Sequence, residues 1–110
     1  MSSIWVYQVH WRPTLWDDMT DDEQAIIGDH DRYIDTLHQR GIVVLAGPTI
    51  EPPTGMVFFR AADEDEARTI MAADPCAIAG IVDMTLHAFD AGYIGQNYAY
   101  NHRRAETAQP

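Results

Sequence analysis

The chain has 110 residues and a mass of 12.4 kDa, which is the size of a single domain. Its 17 acidic and 7 basic residues give a formal net charge of −10 at pH 7. Nucleic acids and anionic membrane surfaces attract basic segments, so neither is an expected partner. The basic residues are all arginine, which excludes a catalytic lysine that would form a Schiff base with a carbonyl substrate.

The number of cysteines limits the kinds of site that the chain can form, and its first residues indicate the cellular compartment. Cys76 is the only cysteine, so an intramolecular disulfide and a zinc site built from several cysteines are both excluded. We expect no metal site and no bound cofactor, since the chain also lacks the glycine-rich fingerprint of a dinucleotide-binding protein. The start of the chain lacks the basic and apolar segments of a signal peptide, and no apolar run approaches the ~20 residues that span a bilayer. We therefore expect a cytoplasmic protein.

The first part of the chain predicts a strand, a loop and a long helix. Residues 4–11 are rich in β-branched and aromatic side chains and are apolar on both alternating faces, which is typical of a strand covered on both sides. We expect a connecting loop over residues 13–19. Thr20 and Glu23 form the capping-box pattern of a helix start, and Gly41 is a typical helix stop, so we expect a helix between them.

Three further strands complete the predicted sheet. Apolar segments at residues 42–46 and 56–59 predict two short strands joined by a proline-rich turn. Residues 82–89 alternate between apolar and polar side chains, which predicts a fourth strand with one dry face. The apolar pattern then weakens, so we assign residues 1–92 to the domain and residues 93–110 to a C-terminal arm and mobile tail.

A second helix is predicted between the third and fourth strands. Acidic residues at positions 63–66 suit a helix start, and the apolar stripe that follows ends at Asp74. Pro75 disfavours helical backbone at the residue before it, so the helix should break there. We expect residues 76–80 to form a short turn.

The predicted order is β-α-β-β-α-β, the ferredoxin-like α+β arrangement of a four-stranded antiparallel sheet with two helices on one face. The opposite face would be open to water. Strands one and three nevertheless carry apolar side chains on both sides, among them Trp5, Tyr7, Phe58 and Phe59. An open apolar face of this size usually marks an interface, so we expect a homodimer that pairs these faces.

Two polar residues occupy positions that the helical pattern turns towards the sheet. His30 lies in the middle of the apolar stripe of the first helix, and Asp74 ends the stripe of the second. An unpaired charge in this layer would be costly, so we expect the two side chains to contact each other or a ligand. A carboxylate beside an imidazole orients it and raises its basicity, which would make His30 a general base that titrates in the physiological range. Two alternatives stay open: Asp74 caps the following turn, and His30 bonds a backbone carbonyl.

Three further residues are candidates for substrate binding. His10 shares a strand face with Ile4 and Val6 and would line a pocket near the loop, although a histidine at a strand end commonly faces solvent. Cys76 follows a capping residue and would feel a helix N-terminus, but it also suits a small core position. Tyr7 lies on the alternate face of the first strand and completes this set.

Several short motifs, taken in their order and spacing, resemble a known family. They are segment 44–48, the pair Asp74-Pro75, the pair Ala79-Gly80, a strand that ends in Phe89, and a helical segment 29–33 that carries a histidine. Together they resemble the YciI-like (YCII-related) proteins over about residues 4–90. The resemblance implies a ferredoxin-like dimeric α/β barrel with His30 and Asp74 in the active site. The best-understood activity of the family is a dehydrochlorinase acting on a chlorinated hydroxyquinol, and muconolactone isomerase is a related dimeric barrel.

The chain departs from the family pattern in two places. Cys76 stands where the family usually has an aromatic or large residue, which would widen the pocket. The loop at residues 12–19, with Trp11 before it and Trp16 within it, is also distinctive. The identity of the substrate is therefore not carried over from the family.

The residues and the resemblance together predict an enzyme that needs no cofactor and acts on a small organic molecule. His30, oriented by Asp74, would move a proton in an elimination or an isomerisation, because such reactions need a positioned base and little else. The alternative is a non-catalytic module that binds a small molecule or another protein through the same pocket or sheet face.

Overall fold

Four strands and four helices make up residues 3–94, the part of the chain that this computed structural model describes. The strands are β1 (Ser3–Trp11), β2 (Val43–Pro48), β3 (Gly55–Ala61) and β4 (Val82–Phe89). The helices are α1 (Leu15–Asp18), α2 (Asp21–Gln39), α3 (Glu64–Ala72) and α4 (Pro75–Ala79). None of the helices in this part of the chain is long and apolar enough to cross a membrane. The predicted C-terminal arm and tail, apart from residues 93 and 94, lies outside the described residues.

The sheet confirms the predicted topology. The strands pair in the order β2-β3-β1-β4, and each neighbouring pair is antiparallel. β1 and β2 therefore run parallel with β3 inserted between them, which is the split β-α-β unit of the ferredoxin-like α+β fold. One face of the sheet packs against the helices, and the buried core there consists of Tyr7, Val9, Leu37, Val43, Val57, Phe59, Ala61 and Ala67.

Helix α2 is bounded by the residues that the sequence indicated. The Thr20 side chain accepts a hydrogen bond from the Glu23 backbone N–H, and the Glu23 carboxylate accepts one from the Thr20 backbone N–H. At the other end, Gly41 adopts a φ of 77°, a left-handed conformation that glycine tolerates without strain. Between these ends, Leu37 is buried in the core, and the apolar stripe of the helix faces the sheet.

Two segments predicted as loop or turn are short helices. The predicted loop at residues 13–19 contains α1, and the predicted turn at residues 76–80 belongs mostly to α4. Pro75 is the first residue of α4, a position where a backbone N–H would have no hydrogen-bond partner within the helix, so the absence of this group in proline costs nothing there. Helix α3 ends at Ala72, so the prediction that Asp74 lies on its apolar stripe is wrong. Asp74 instead has extended backbone and caps the N-terminus of α4.

The two sheet faces divide the aromatic residues differently from the prediction. Trp5 and Tyr7 belong to the layer between the sheet and the helices, so they contribute nothing to the open face. Phe58 and Phe89 lie on the open face, where their rings meet edge to face with centroids 5.0 Å apart. Leu45, opposite Phe58 in the register, is 64% exposed. The open face therefore carries an apolar patch made by a different set of side chains than predicted, next to polar residues such as Arg60, Thr85 and His87.

Candidate active site

The site lies where α2 passes the N-terminus of α4. His30 projects from the middle of α2, and Asp74 is the N-cap residue of α4. The Asp74 backbone is extended, with φ −62° and ψ 128°, so its side chain turns back over the first turn of α4. The structure brings the two side chains into contact, with His30 Nδ1 at 2.7 Å from Asp74 Oδ2 and 2.8 Å from Oδ1.

The Asp74 carboxylate is buried and held by three groups. Besides the contact with His30, the Tyr7 hydroxyl donates a hydrogen bond to Oδ2 at 2.7 Å. The Cys76 backbone N–H donates to Oδ1 at 2.9 Å. Asp74 itself is 0% exposed. A buried carboxylate is tolerated when its charge is paired and its oxygens are hydrogen-bonded, so this arrangement fits a carboxylate facing a protonated imidazole.

The surroundings of His30 favour its charged form. Burial of the ring acts against the charge, but the hydrogen bond to Asp74, the adjacent Cys76 sulfur and the charges of these groups outweigh it. The pKa of His30 is thereby raised from 6.5 to about 10. The sequence predicted titration in the physiological range; the structure differs because the carboxylate is fully buried and fixed against the ring. At neutral pH, His30 therefore carries a proton that it can donate.

The pKa of Tyr7 also moves, in the direction that keeps its hydroxyl neutral. Burial is the largest cause, followed by the charge of Asp74 and the hydrogen bond to it, and together they raise the pKa of Tyr7 well above its usual range. Tyr7 is therefore a neutral hydrogen-bond donor to Asp74.

A cavity of about 580 Å³ adjoins the His30 ring. This volume suits a small-molecule ligand, for which pockets are typically about 300–1,000 Å³. Apolar side chains of α1, α2, β1 and β2 form most of the wall, among them Val9, Trp11, Trp16, Ile27, Ile34 and Val43. Along α2, the wall also includes Asp31, Asp35 and His38. Because Asp74 holds Nδ1 of His30, the ring nitrogen left for a ligand is Nε2.

The same cluster could be considered as a metal site. Ligand atoms of His30, Asp74 and Cys76 all lie within 4.8 Å of one another. The hydrogen bonds fit a proton-sharing pair better, because His30 Nδ1 and both Asp74 oxygens already have partners. A metal ion bound there would have to displace the Tyr7 hydroxyl or the His30 ring from the carboxylate. The donor set therefore favours proton transfer over metal binding.

The three predicted substrate-binding residues lie in different places. Cys76 lines the cavity beside His30 and is 1% exposed. Tyr7 is fully buried and contacts the Asp74 carboxylate rather than the cavity. His10 is exposed on the opposite face of the sheet, where it lies across from Asp83 of β4 in the strand register. Of the three, only Cys76 is placed to touch a ligand in this cavity.

Sequence reasoning did not place α1 at the site. Trp16 of α1 lines the cavity and meets Trp11 edge to face, with ring centroids 5.6 Å apart. The two tryptophans made the loop distinctive, but a segment predicted to lack secondary structure gave no indication of where its side chains would lie. Aromatic side chains in this position provide a broad apolar surface for a ligand.

Arg12 fixes α1 relative to α2. Its guanidinium donates to Asp18 Oδ1 at 2.7 Å and to Glu23 Oε1 at 2.8 Å, and it makes a second contact with Glu23. The hydrogen bond from Arg12, with that from the Thr20 backbone, lowers the pKa of Glu23 from 4.5 to about 2. This surface cluster holds the segment that carries Trp16 over the cavity.

These features define an α+β protein of ferredoxin-like topology, with a cavity of small-molecule size next to a histidine that contacts a buried aspartate. The sequence matches the YCII-related domain family over residues 6–86, so the chain belongs to this family. Among solved structures, it is similar to the 5-chloro-2-hydroxyhydroquinone dehydrochlorinase of Burkholderia phenoliruptrix AC1100 in complex with 2,5-dihydroxybenzoquinone. The TM-score is 0.57 at 17% identity, over 87% of this chain and 99% of that one, a likeness that shows the fold. No curated protein matches the sequence.

Proposed function

We propose that the protein is a cofactor-independent enzyme that uses the His30–Asp74 pair to transfer a proton on a small organic molecule, in an elimination or an isomerisation. One observation carries the proposal: an imidazole whose Nδ1 is held by a fully buried carboxylate adjoins a cavity of about 580 Å³. A structural neighbour that is a dehydrochlorinase with a bound dihydroxybenzoquinone supports a lyase reaction. A lactone isomerisation requires the same proton movements.

The resting enzyme holds a proton on His30, so its first step is a donation. A substrate bound as an enolate or phenolate accepts the Nε2 proton at carbon, which leaves a neutral keto form and a neutral imidazole. His30 then removes a proton from a neighbouring position of the substrate. In an elimination, the electron pair of the broken C–H bond forms a double bond to the adjacent carbon and expels halide from that carbon. In an isomerisation, the pair forms a double bond to the carbonyl carbon and the carbonyl π electrons move onto oxygen, which gives an enolate with its double bond in a new position. His30 regains its proton in each cycle, so the chain needs no cofactor.

The cavity favours a small ring compound that carries a single oxyanion. Apolar and aromatic side chains dominate the wall, and the protonated His30 supplies a positive charge. Asp31 and Asp35, on the same helix, oppose a second negative charge on the ligand. Hydroxylated aromatics, quinones and lactones are therefore the compounds to test.

Turnover of such a panel, followed by absorbance, tests the function. For an accepted substrate, kcat/KM should fall as pH rises through about 10, because His30 then loses the proton it donates. His30→Gln should lower turnover by about 10²–10⁴-fold. His10→Gln is the matched control, since His10 is exposed on the opposite face of the sheet, away from the cavity. If compounds raise the melting temperature but none is turned over, the protein is a binding module instead.

We also propose that two copies pair through the open sheet face, and that the protein is cytoplasmic. Phe58, Phe89 and the exposed Leu45 form an apolar surface there that a second copy would cover. Sedimentation should give a dimer at micromolar concentration, and Phe89→Glu should weaken it, since Phe89 is exposed and does not line the cavity. A wild-type protein that sediments as a monomer would contradict the dimer without affecting the site.

A further inference from the structure

Tyr7 belongs to the site but not to the cavity. Its hydroxyl donates to Asp74 Oδ2 at 2.7 Å, and the same oxygen lies 2.7 Å from His30 Nδ1. Tyr7 is 0% exposed, and its ring packs edge to face against Phe59 with centroids 5.6 Å apart. The rigid strand β1 thus presents a fixed donor to the oxygen that holds the histidine.

We propose that Tyr7 is a positioning residue, which sets through Asp74 how tightly His30 holds its proton. The proposal rests on the proposed role of His30 in catalysis and adds a residue of the sheet that controls it. Two donors on one carboxylate oxygen share its negative charge, so the hydroxyl reduces the charge available to the imidazole. Tyr7 thereby weakens the hold on the His30 proton, which eases its transfer to a substrate.

The geometry separates the effect of the Tyr7 hydroxyl on the His30 proton from a displacement of the Asp74 carboxylate. The Cys76 backbone N–H holds the other oxygen, Oδ1, and Asp74 caps α4 through the same bond. Removal of the Tyr7 hydroxyl therefore leaves the carboxylate in place while its charge towards His30 increases. The position of Asp74 does not depend on Tyr7 alone.

Other titratable groups around the pair come from two helices. Cys76 of α4 adjoins the ring, and α2 contributes Tyr33 as well as the cavity residues Asp31, Asp35 and His38. The lining residues of α1 and of the strands carry no titratable side chain. Tyr33 differs from Tyr7 in its partner, since its hydroxyl donates to the Ile70 backbone carbonyl at 2.6 Å.

Tyr7→Phe and Tyr33→Phe form a matched pair for the test. Each substitution removes one tyrosine hydroxyl that makes a hydrogen bond, but only the first removes a donor to Asp74. NMR of the imidazole as a function of pH gives the titration midpoint of His30 in each protein. Tyr7→Phe should raise the midpoint by roughly half a pH unit or more, and Tyr33→Phe should leave it unchanged.

A second substitution keeps the test decisive if Tyr7→Phe does not fold. Incorporation of 3-fluorotyrosine at position 7 retains the hydroxyl but makes it more acidic, hence a stronger donor, so the His30 midpoint should fall. A Tyr7→Phe midpoint equal to that of wild type, or a fluorotyrosine midpoint that does not fall, would overturn the proposal. Neither measurement uses a substrate, so failure of the proposed enzymatic function would appear separately, in the turnover assay.

Discussion

Two clusters of charged side chains in this protein have similar distances between nitrogen and carboxylate oxygen but differ in how far their carboxylates are buried. His30 and Asp74 lie 2.7 Å apart with the carboxylate 0% exposed, whereas Arg12 and Asp18 lie 2.7 Å apart with side chains 38% and 55% exposed. Water and salt screen the surface cluster, so it holds the α1 segment without contributing much to stability. Both clusters shift a pKa, that of Glu23 downwards and that of His30 upwards, but only the His30–Asp74 pair has a fully buried carboxylate and adjoins the cavity. Burial, rather than the presence of an ion pair, distinguishes the candidate active site.

The largest effect is expected from Asp74→Asn, which removes the negative charge and keeps the shape of the side chain. Asparagine is also a good N-cap residue, so α4 should keep its first turn. The pKa of His30 should fall from about 10 to 6.5 or below, because burial then acts without an opposing carboxylate. NMR titration of the imidazole measures this shift. Turnover of an accepted substrate should fall by about 10²–10⁴-fold.

Asp63→Asn is the matched control for this substitution. Asp63 caps α3 as Asp74 caps α4, and it accepts a hydrogen bond from the Glu66 backbone N–H at 2.8 Å. Asp63 is exposed, so its replacement should leave the His30 titration unchanged. If His30 titrates at the same pH in wild type and in Asp74→Asn, the carboxylate does not control its proton and the comparison of the two clusters fails.

A smaller effect is expected on the pH dependence of stability. The folded state raises the pKa of His30 from 6.5 to about 10, so the pair stabilises fully below about pH 6.5 and loses this contribution as pH rises through about 10. Each pKa unit corresponds to about 1.4 kcal/mol, so the free energy of unfolding should fall by a few kcal/mol over this range. Denaturant unfolding at several pH values measures the slope.

Asp74→Asn should flatten that slope, because it removes the cause of the raised pKa of His30. The measurement should end near pH 10. Above that pH the raised pKa of Tyr7 adds a separate loss, since the unfolded chain gives up a tyrosine proton that the folded chain retains. A wild-type free energy of unfolding that stays constant from pH 6.5 to 10 would show that the pair does not stabilise the fold.

Local sequence signals predicted α2 and the position of His30 well. The helix follows a capping box at Thr20 and ends before a left-handed glycine at Gly41, and its 19 residues are enough for the apolar period to define one face. Asp74 was predicted to lie near His30 by a partly wrong route. Helix α3 ends at Ala72, and Pro75 begins another helix of only five residues, which is too short for periodicity to reveal.

The rest of the site depends on contacts that the sequence does not encode locally. Tyr7 meets Asp74 across 67 residues of chain, and this contact requires the sheet register and the docking of α4. The proton affinity of His30 follows from the same contact, so the sequence indicated the pair but not its strength. Trp16 reaches the cavity because Arg12 fixes a short helix that sequence patterns predicted as loop.

The smallest effect is expected from Arg12→Ala, which removes the centre of the surface cluster. The Arg12 and Asp18 side chains are 38% and 55% exposed, and Glu23 is 14% exposed, so the cluster is only partly shielded from water. The melting temperature should fall by only a few degrees, and by less in high salt. The pKa of Glu23 should return from about 2 towards 4.5, because the hydrogen bond from Arg12 is the largest cause of its shift. Thermal unfolding and NMR titration of Glu23 measure the two effects.

Arg68→Ala gives the reference for an exposed pair, since Arg68 and Glu64 lie one turn apart on α3 at 3.2 Å. The two arginine variants should lose similar small amounts of thermal stability, and neither should alter the His30 titration. Besides its effect on Glu23, Arg12→Ala should differ from Arg68→Ala in ligand binding, because Arg12 and not Arg68 holds the segment that carries Trp16. A loss of stability from Arg12→Ala as large as that from Asp74→Asn would mean that exposure does not separate the two clusters.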